Sequence, residues 1–346
     1  MESIRPGTAG ECTLTGWVEL DGELLFPGAV FALLGRDPSA VTRFGGEFLI
    51  RWNGCTARDH FGIIPGPCPP GAVLCDGKAA GEVVPDPPAC DLAAAIEEAV
   101  RLRSGEGIVA LSGGVDSALV AALAGLPCLA VGVPGAHDTE RAARVAAELG
   151  LPLDILAITP RMVEEALHAV VPAIPDTNPV NVSIAATLYW VAARAADLGH
   201  TRILTGQGAD ELFGGYARYL ESADLAADLD RDFAGLALQA ARDQAVAKLH
   251  RTYFSMPYLD IRVVRAARAL PAGEKVRGGM RKVPLRRAAE GVLPREYAWY
   301  DKKAMQYGSG VWKVIRTLAR ENGYKKSVQG YINQIVGEHH GNPDRN

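Results

Sequence analysis

Ser112-Gly113-Gly114-Val115-Asp116-Ser117 follows an apolar run over 107–111 and opens an Ala-rich stretch over 118–124. The order reads as a strand, a glycine turn and the start of a helix. Two adjacent glycines let backbone N–H groups fold into a concave nest, and at a helix N-terminus those donors and the helix dipole attract phosphate. Ser112 and Ser117 add hydroxyl donors. Asp116 is the odd member, because a carboxylate inside a phosphate cradle repels its ligand unless a divalent cation lies between; it is read as a Mg²⁺ ligand. A nucleoside triphosphate site is implied. No Lys follows the glycines, so the spacing is not that of the P-loop G-x-x-x-x-G-K-S/T, and cleavage of the terminal phosphate is disfavoured. A Gly-Gly turn capped by Ser is the plain structural alternative. The strand, turn and helix order argues against it, since open α/β sheets bind ligands at the carboxyl ends of their strands.

Around this loop the pattern predicts alternating strands and helices. Helices are expected over 91–103 with Asp91 as N-cap, after Asp116, over 138–149 with Gly150 closing the C-terminus, over 162–171 and over 183–198; strands are expected over 107–111, 129–133, 153–158 and 201–205. That series predicts an α/β fold with a doubly wound parallel sheet. Beyond Glu221 the chain reads as a mostly helical C-terminal part, with segments over 233–253, 262–270, 284–291 and 310–322. Upstream, short segments at 24–26, 30–34 and 47–52, separated by Gly, Asp and Asn turns, predict a small β-rich N-terminal domain. The Pro- and Gly-rich stretch over 64–90 is the expected domain junction. The resulting division is 1–88, 89–330 and a polar tail over 331–346, whose His339-His340 pair is read as surface rather than metal site.

At 346 residues the chain is long enough for about two domains. Lys+Arg 36 against Asp+Glu 40 gives a net charge of -4, so bulk electrostatics favour neither a nucleic-acid nor an anionic-membrane partner. A late basic group, Arg277, Arg281, Lys282, Arg286, Arg287, Lys302 and Lys303, is read either as a solvated face or as a phosphate site, with tRNA a minor alternative. Cys12, Cys55, Cys68, Cys75, Cys90 and Cys128 form no C-x-x-C pair and no zinc spacing, and are read as reduced thiols of a cytoplasmic protein. The start lacks an apolar signal core, and no run approaches the ~20 apolar residues of a membrane helix.

A second motif, Gly206-Gln207-Gly208-Ala209-Asp210-Glu211-Leu212-Phe213-Gly214-Gly215-Tyr216, follows the strand expected at 201–205. Its place at the carboxyl end of a strand puts it on the sheet edge of the phosphate loop, where Gly206 and Gly208 permit close backbone approach and Asp210 supplies a second carboxylate to share a metal with Asp116. A capped turn is the plain alternative. Together the two motifs resemble the synthetase domain of the asparagine synthetase family and its β-lactam synthetase relatives. That domain is an N-type ATP pyrophosphatase (PP-loop, adenine nucleotide alpha hydrolase-like) fold. The resemblance runs over roughly 90–320 and includes Ala130-Val131-Gly132-Val133-Pro134-Gly135-Ala136-His137-Asp138, Met256-Pro257-Tyr258-Leu259-Asp260, and Ala298-Trp299-Tyr300-Asp301-Lys302-Lys303 leading to Gly308-Ser309-Gly310. Upstream, Gly46-Glu47-Phe48 and Ala57-Arg58-Asp59-His60-Phe61-Gly62-Ile63-Ile64-Pro65 are similar to late strands of the family's glutaminase domain.

The resemblance implies an ATP-dependent ligase: a small carboxylate attacks the α-phosphorus of ATP, giving an acyl-adenylate and pyrophosphate, and an amine displaces AMP to form an amide. It implies ATP contacts from Leu111, Ser112, Gly113, Gly114, Asp116, Ser117, Val131 and Gly206, a metal held by Asp116 and Asp210, and a catalytic Lys302 that offsets charge on the leaving pyrophosphate, with Lys303 as its neighbour. The family's glutaminase nucleophile is a Cys directly after the initiator Met, where this chain has Glu2, and the N-terminal unit is less than half the expected length. Use of ammonia, or of an amine from a separate amidotransferase subunit, is therefore expected. Two further departures bear on the substrate. Gln207 stands where the family commonly has a catalytic Glu, and Asn181, in Asp176-Thr177-Asn178-Pro179-Val180-Asn181, stands where it often has an Arg that places aspartate. The alternatives are a nucleotide-binding regulatory module that has lost catalysis, and a related ligase acting on a different carboxylate. Gly-Ala-Asp-Glu-Leu-Phe-Gly-Gly-Tyr at 208–216 argues against the NAD and GMP synthetases.

Overall fold

The computed structural model describes residues 12–300 and 305–340. By compactness it divides into two units, each built from separate stretches of chain: one comprises the sequence through Arg103 with Gln207–Ala237 and Ser255–Pro284, the other Ser104–Gly206, Leu238–Phe254 and the chain from Leu285. The expected boundary at 88/89 is a division read from the Pro- and Gly-rich composition over 64–90, whereas these units are divisions by packing.

The first unit opens with β1 (Thr13–Leu20), β2 (Glu23–Leu25), α1 (Pro27–Arg36), β3 (Gly45–Trp52), β4 (Cys55–Arg58), β5 (Ala72–Cys75), β6 (Lys78–Glu82) and α2 (Leu92–Arg101). The strands form one antiparallel sheet in the order β2-β1-β3-β4-β5-β6. Two expectations are corrected here. Residues 30–34 are helical rather than extended: Pro27 presets the first turn of α1, and Val30 and Leu34, four apart, bury together on one helix face. The stretch over 64–90 is not only a junction, because it contains the β5–β6 pair. Asp91 caps α2 as expected, its carboxylate accepting from Ala94 N at 2.9 Å.

The reading of all six cysteines as reduced thiols is also corrected. Cys55 and Cys75 are directly opposed across β4 and β5 and are joined as a disulfide. Twenty residues separate them in sequence, and only the sheet register brings them together. Alkylation of the unfolded, unreduced protein should therefore label four cysteines, Cys12, Cys68, Cys90 and Cys128. Prior reduction should expose six and lower the unfolding free energy by about 2–4 kcal/mol. Six labels without reductant would contradict the pairing.

A buried ionic network lies in the same unit. Glu47, in β3 and fully buried, accepts from Trp17 Nε1 (3.1 Å), Arg103 Nε (2.8 Å), Ser255 Oγ (2.6 Å) and Met256 N (2.9 Å). Arg103 also reaches Asp260 at 2.9 Å, and Asp260 with Glu19 holds Arg262. Burial works against the charge on Arg103, and the Glu47 and Asp260 carboxylates overcome it, raising its pKa above the ordinary arginine value.

In the second unit the chain runs through β7 (Ile108–Ala110), α3 (Val115–Ala124), β8 (Cys128–Gly132), α4 (His137–Leu149), β9 (Leu153–Ala157), α5 (Pro160–Val170), α6 (Pro179–Asp197) and β10 (Arg202–Leu204). Gly150 closes α4 in the left-handed conformation, as expected. α7 (Ala209–Phe213) and α8 (Leu225–Ala234) belong to the first unit, α9 (Leu236–Lys248) and β11 (Tyr253–Ser255) lie mostly in the second, and α10 (Ile261–Ala269) returns to the first. The single helix expected over 233–253 is thus corrected: it is broken at Gly235, ends at Lys248, and its last residue, Tyr253, opens a strand. Within the described residues, the tail expected from 331 continues the helix Val328–His340, which buries Tyr331, Ile332 and Ile335.

The second sheet has the order β11-β10-β7-β8-β9, with β10, β7, β8 and β9 parallel. The chain proceeds outward from β7 to β9, then crosses to the other side of β7 for β10. This reversal makes the sheet doubly wound, and it is at such a reversal, outside the carboxyl ends of the strands (here β7 and β10), that open sheets of this kind bind ligands. Among the described residues, no helix is long and apolar enough to cross a membrane.

Candidate functional site

The glycine loop leaves β7 at that reversal. Leu111, 2% exposed, continues the strand by donating its N–H to Leu129 O at 2.8 Å. Gly113 then takes φ +72, which a side chain would strain, and a Cβ there would stand 2.5 Å from Arg141 Cβ and 2.9 Å from Ala142 N of α4. Gly114 is the N-cap of α3, with Asp116 in the first turn. The loop is tied internally: Ser112 N donates to Ser117 Oγ at 3.1 Å, and the two hydroxyls lie 3.0 Å apart. Ser117, expected as a phosphate donor, is 3% exposed, and its hydroxyl also reaches Gly114 O, so it fixes the loop's shape.

The second motif begins against this loop. Gly206 follows β10, and a Cβ on it would fall 2.8 Å from Asp116 Cβ and 2.9 Å from Ser117 N. Only glycine admits that approach. Leu111, Ser112, Gly113, Gly114, Asp116, Ser117 and Gly206 are thus gathered at the carboxyl ends of neighbouring strands, and Val131, 7% exposed, lies on the adjoining β8.

Past Gly206 the chain enters the other unit. There the half-buried Gln207 precedes α7, and Asp210 stands in the first turn of that helix. Asp210 is paired: Lys282 Nζ lies 2.7 Å from its Oδ1. Arg281, the neighbouring residue, donates to Gly215 O at 2.7 Å. In the second unit Arg286, 3% exposed, donates to Ala298 O (3.0 Å) and Tyr300 O (2.9 Å). A solvated face therefore does not describe Lys282 and Arg286, which are buried. Their spacing in the sequence carried no sign of these partners, which lie 72 and 12 to 14 residues away.

Lys302 and Lys303 lie outside the described residues. The chain before them is anchored at α4, where the Tyr300 hydroxyl and His137 Nε2 are 2.7 Å apart. The chain after them is anchored at β8 and α6, where Val133 N donates to Ser309 O at 3.0 Å and the hydroxyls of Thr187 and Ser309 are 3.5 Å apart.

Asn181, in the first turn of α6, donates to Asp176 Oδ2 at 2.9 Å and accepts from Arg242 Nη1 of α9 at 2.8 Å. Arg242 is 5% exposed and also bonds Asp243 at 2.7 Å. A guanidinium therefore does stand beside position 181, carried by a helix sixty-one residues later. No sequence signal marks it.

The family model described as Asparagine synthase matches residues 91–255 and 236–336. A protein carrying the name asparagine synthetase (glutamine-hydrolyzing) 1 from Methanocaldococcus jannaschii is 31% identical over 268 residues, covering 65% of this chain and 50% of its own. Asparagine synthetase B (glutamine-hydrolyzing) of Escherichia coli is 27% identical, with 66% and 46% covered. Carboxyethyl-arginine beta-lactam-synthase of Streptomyces clavuligerus is 30% identical, with 71% and 49% covered. The chain spans about half the length of these curated relatives.

Proposed function

The chain belongs to the asparagine synthase family, and from that premise we propose that it activates a small carboxylate with ATP as an acyl-adenylate and transfers the acyl group to ammonia or another amine. The observation that supports this most strongly is the meeting of the glycine loop with Gly206 at the winding reversal between β7 and β10. A carboxylate oxygen attacks the α-phosphorus, the bond to the bridging oxygen breaks, and pyrophosphate leaves. The amine then attacks the acyl carbon and AMP departs. The start of α3 holds the phosphates through its backbone N–H groups, and Leu111, Val131 and Gly206 line the nucleoside side.

Mg²⁺ fits the donor set. Among the described residues no group of three or more His, Cys, Asp or Glu side chains is positioned for a metal, and Mg²⁺ is ordinarily held by one or two carboxylates with substrate phosphates supplying the rest. Asp116 would be the first such carboxylate. Asp210, the second expected ligand, belongs to the other unit and is paired there with Lys282. When bound, the metal would neutralise phosphate charge.

The amide of Gln207 accepts no proton, so either the amine enters neutral, as free ammonia or as ammonia from a separate amidotransferase subunit, and its proton passes to water, or another group acts as base, or the chemistry differs. Arg242 beside Asn181 is proposed to take over recognition of the substrate carboxylate. The likeness to a β-lactam synthase keeps open an acceptor amine within the substrate itself. Lys302→Ala should lower AMP formation on the order of 10²-fold, as loss of one charge-stabilising donor does, with ATP binding retained. An unchanged rate would remove Lys302 from the mechanism. Gln207 also favours a second reading, a module that binds ATP without cleaving it; ATP binding with no AMP under any substrate mixture would establish that.

A further inference from the structure

We propose that Arg141 is a pyrophosphate ligand, gripping the leaving diphosphate with the Nε and Nη2 edge of its guanidinium beside the glycine loop. The inference rests on the nucleotide site proposed above and deepens it. Arg141 lies in the second turn of α4, and its backbone and Cβ are the atoms that press on Gly113, closer than any side chain there would allow. The side chain therefore starts at the phosphate cradle. Its guanidinium carbon lies 3.7 Å from the ring centre of Tyr300 and 5.3 Å from that of Tyr297. Tyr300 is itself pinned by His137.

Stacking on aromatic rings occupies the faces of a guanidinium and leaves its in-plane N–H donors available. In Arg141 those donors are unused: Nε and Nη2 are both shielded from solvent and have no hydrogen-bond acceptor. These two nitrogens form the parallel fork that matches two oxygens of a carboxylate or phosphate. The same edge is filled elsewhere in the molecule. Arg194 uses it on Asp154 (2.9 and 2.8 Å) and Arg101 on Glu98 (2.6 and 2.8 Å). Two buried N–H donors without an acceptor are costly to keep, and Arg141 carries them on a half-buried side chain whose Cβ stands against Gly113 of the proposed phosphate loop. An anion with two adjacent oxygens completes the fork. Because the loop amides and Arg141 flank the same glycine, the diphosphate fits this position better than the substrate carboxylate does.

The test is equilibrium binding of inorganic pyrophosphate with Mg²⁺, by calorimetry, to the full chain and to Arg141→Met and Arg141→Lys, with AMP as control ligand. Arg141→Met should weaken pyrophosphate roughly 10- to 100-fold. AMP affinity should change less than about twofold and the thermal midpoint should hold, since the loop keeps its shape. Arg141→Lys restores the charge but not the fork, and should recover only part of the loss. Equal pyrophosphate affinity in Arg141→Met overturns the proposal, as does parallel loss of AMP binding and thermal stability, which would mark a packing role. If the unaltered chain binds no pyrophosphate at all, the reading of the loop as a phosphate cradle fails as well, and the two failures are distinguished.

Discussion

Asp116→Ala is expected to abolish ATP cleavage, with AMP formation falling on the order of 10³-fold and little change in stability. The effect is large because phosphoryl transfer leaves the protein mainly charge to offset, and Asp116 is the carboxylate we propose to hold a cation at the phosphates. The stability effect is small because an aspartate in the first turn of a helix is worth only ~0.3–1 kcal/mol through the dipole. Asp116 stands in the first turn of α3, where a Cβ on Gly206 would fall 2.8 Å from its own Cβ. Initial rates with Mg²⁺ titrated over the millimolar range give the check. A rate loss that saturating Mg²⁺ does not repair supports metal ligation by Asp116, and near-normal turnover would reduce it to a helix-capping residue.

Glu47→Ala should cost about 3–5 kcal/mol of unfolding free energy, because removing one member of a buried ion pair strands the other. Glu47 gathers four donors from β1, from Arg103 and from the Ser255-Met256 segment, so its loss removes a buried carboxylate from Arg103, which keeps the pair with Asp260. Glu47→Gln keeps the volume and an acceptor oxygen, and should cost less. Urea midpoints at constant m-value would measure both. A cost below ~1 kcal/mol for the alanine variant would mean that solvent already screens this cluster, contrary to its burial.

The glycine loop was legible because its chemistry is local: a φ of +72 at Gly113 and a helix cap at Gly114 are needs that short-range sequence expresses directly. The alternation around it was equally legible as a parallel sheet, and the carboxyl end of β10 delivered Gly206 to the loop as expected. What escaped was set by distance along the chain. Nothing local separates Arg141 from Arg144 on the same helix; only the crossing of α4 behind the loop and the return of Tyr300 give it a role. Lys282 and Arg242 likewise gained their partners through folding. α1 was misread because five apolar-rich residues bounded by turns satisfy strand and helix patterns alike. The Cys55–Cys75 pair depended on strand register, which no spacing rule encodes.

The most direct test of the proposed chemistry is mass spectrometry of the chain incubated with ATP, Mg²⁺, ammonium and aspartate, and in parallel with carboxyethyl-arginine, quantifying AMP, ADP and amide product together. The account predicts AMP and one amide rising in equal amounts with either carboxylate, and neither forming with Asp116→Ala. ADP in place of AMP, or AMP that persists in Asp116→Ala, would contradict it.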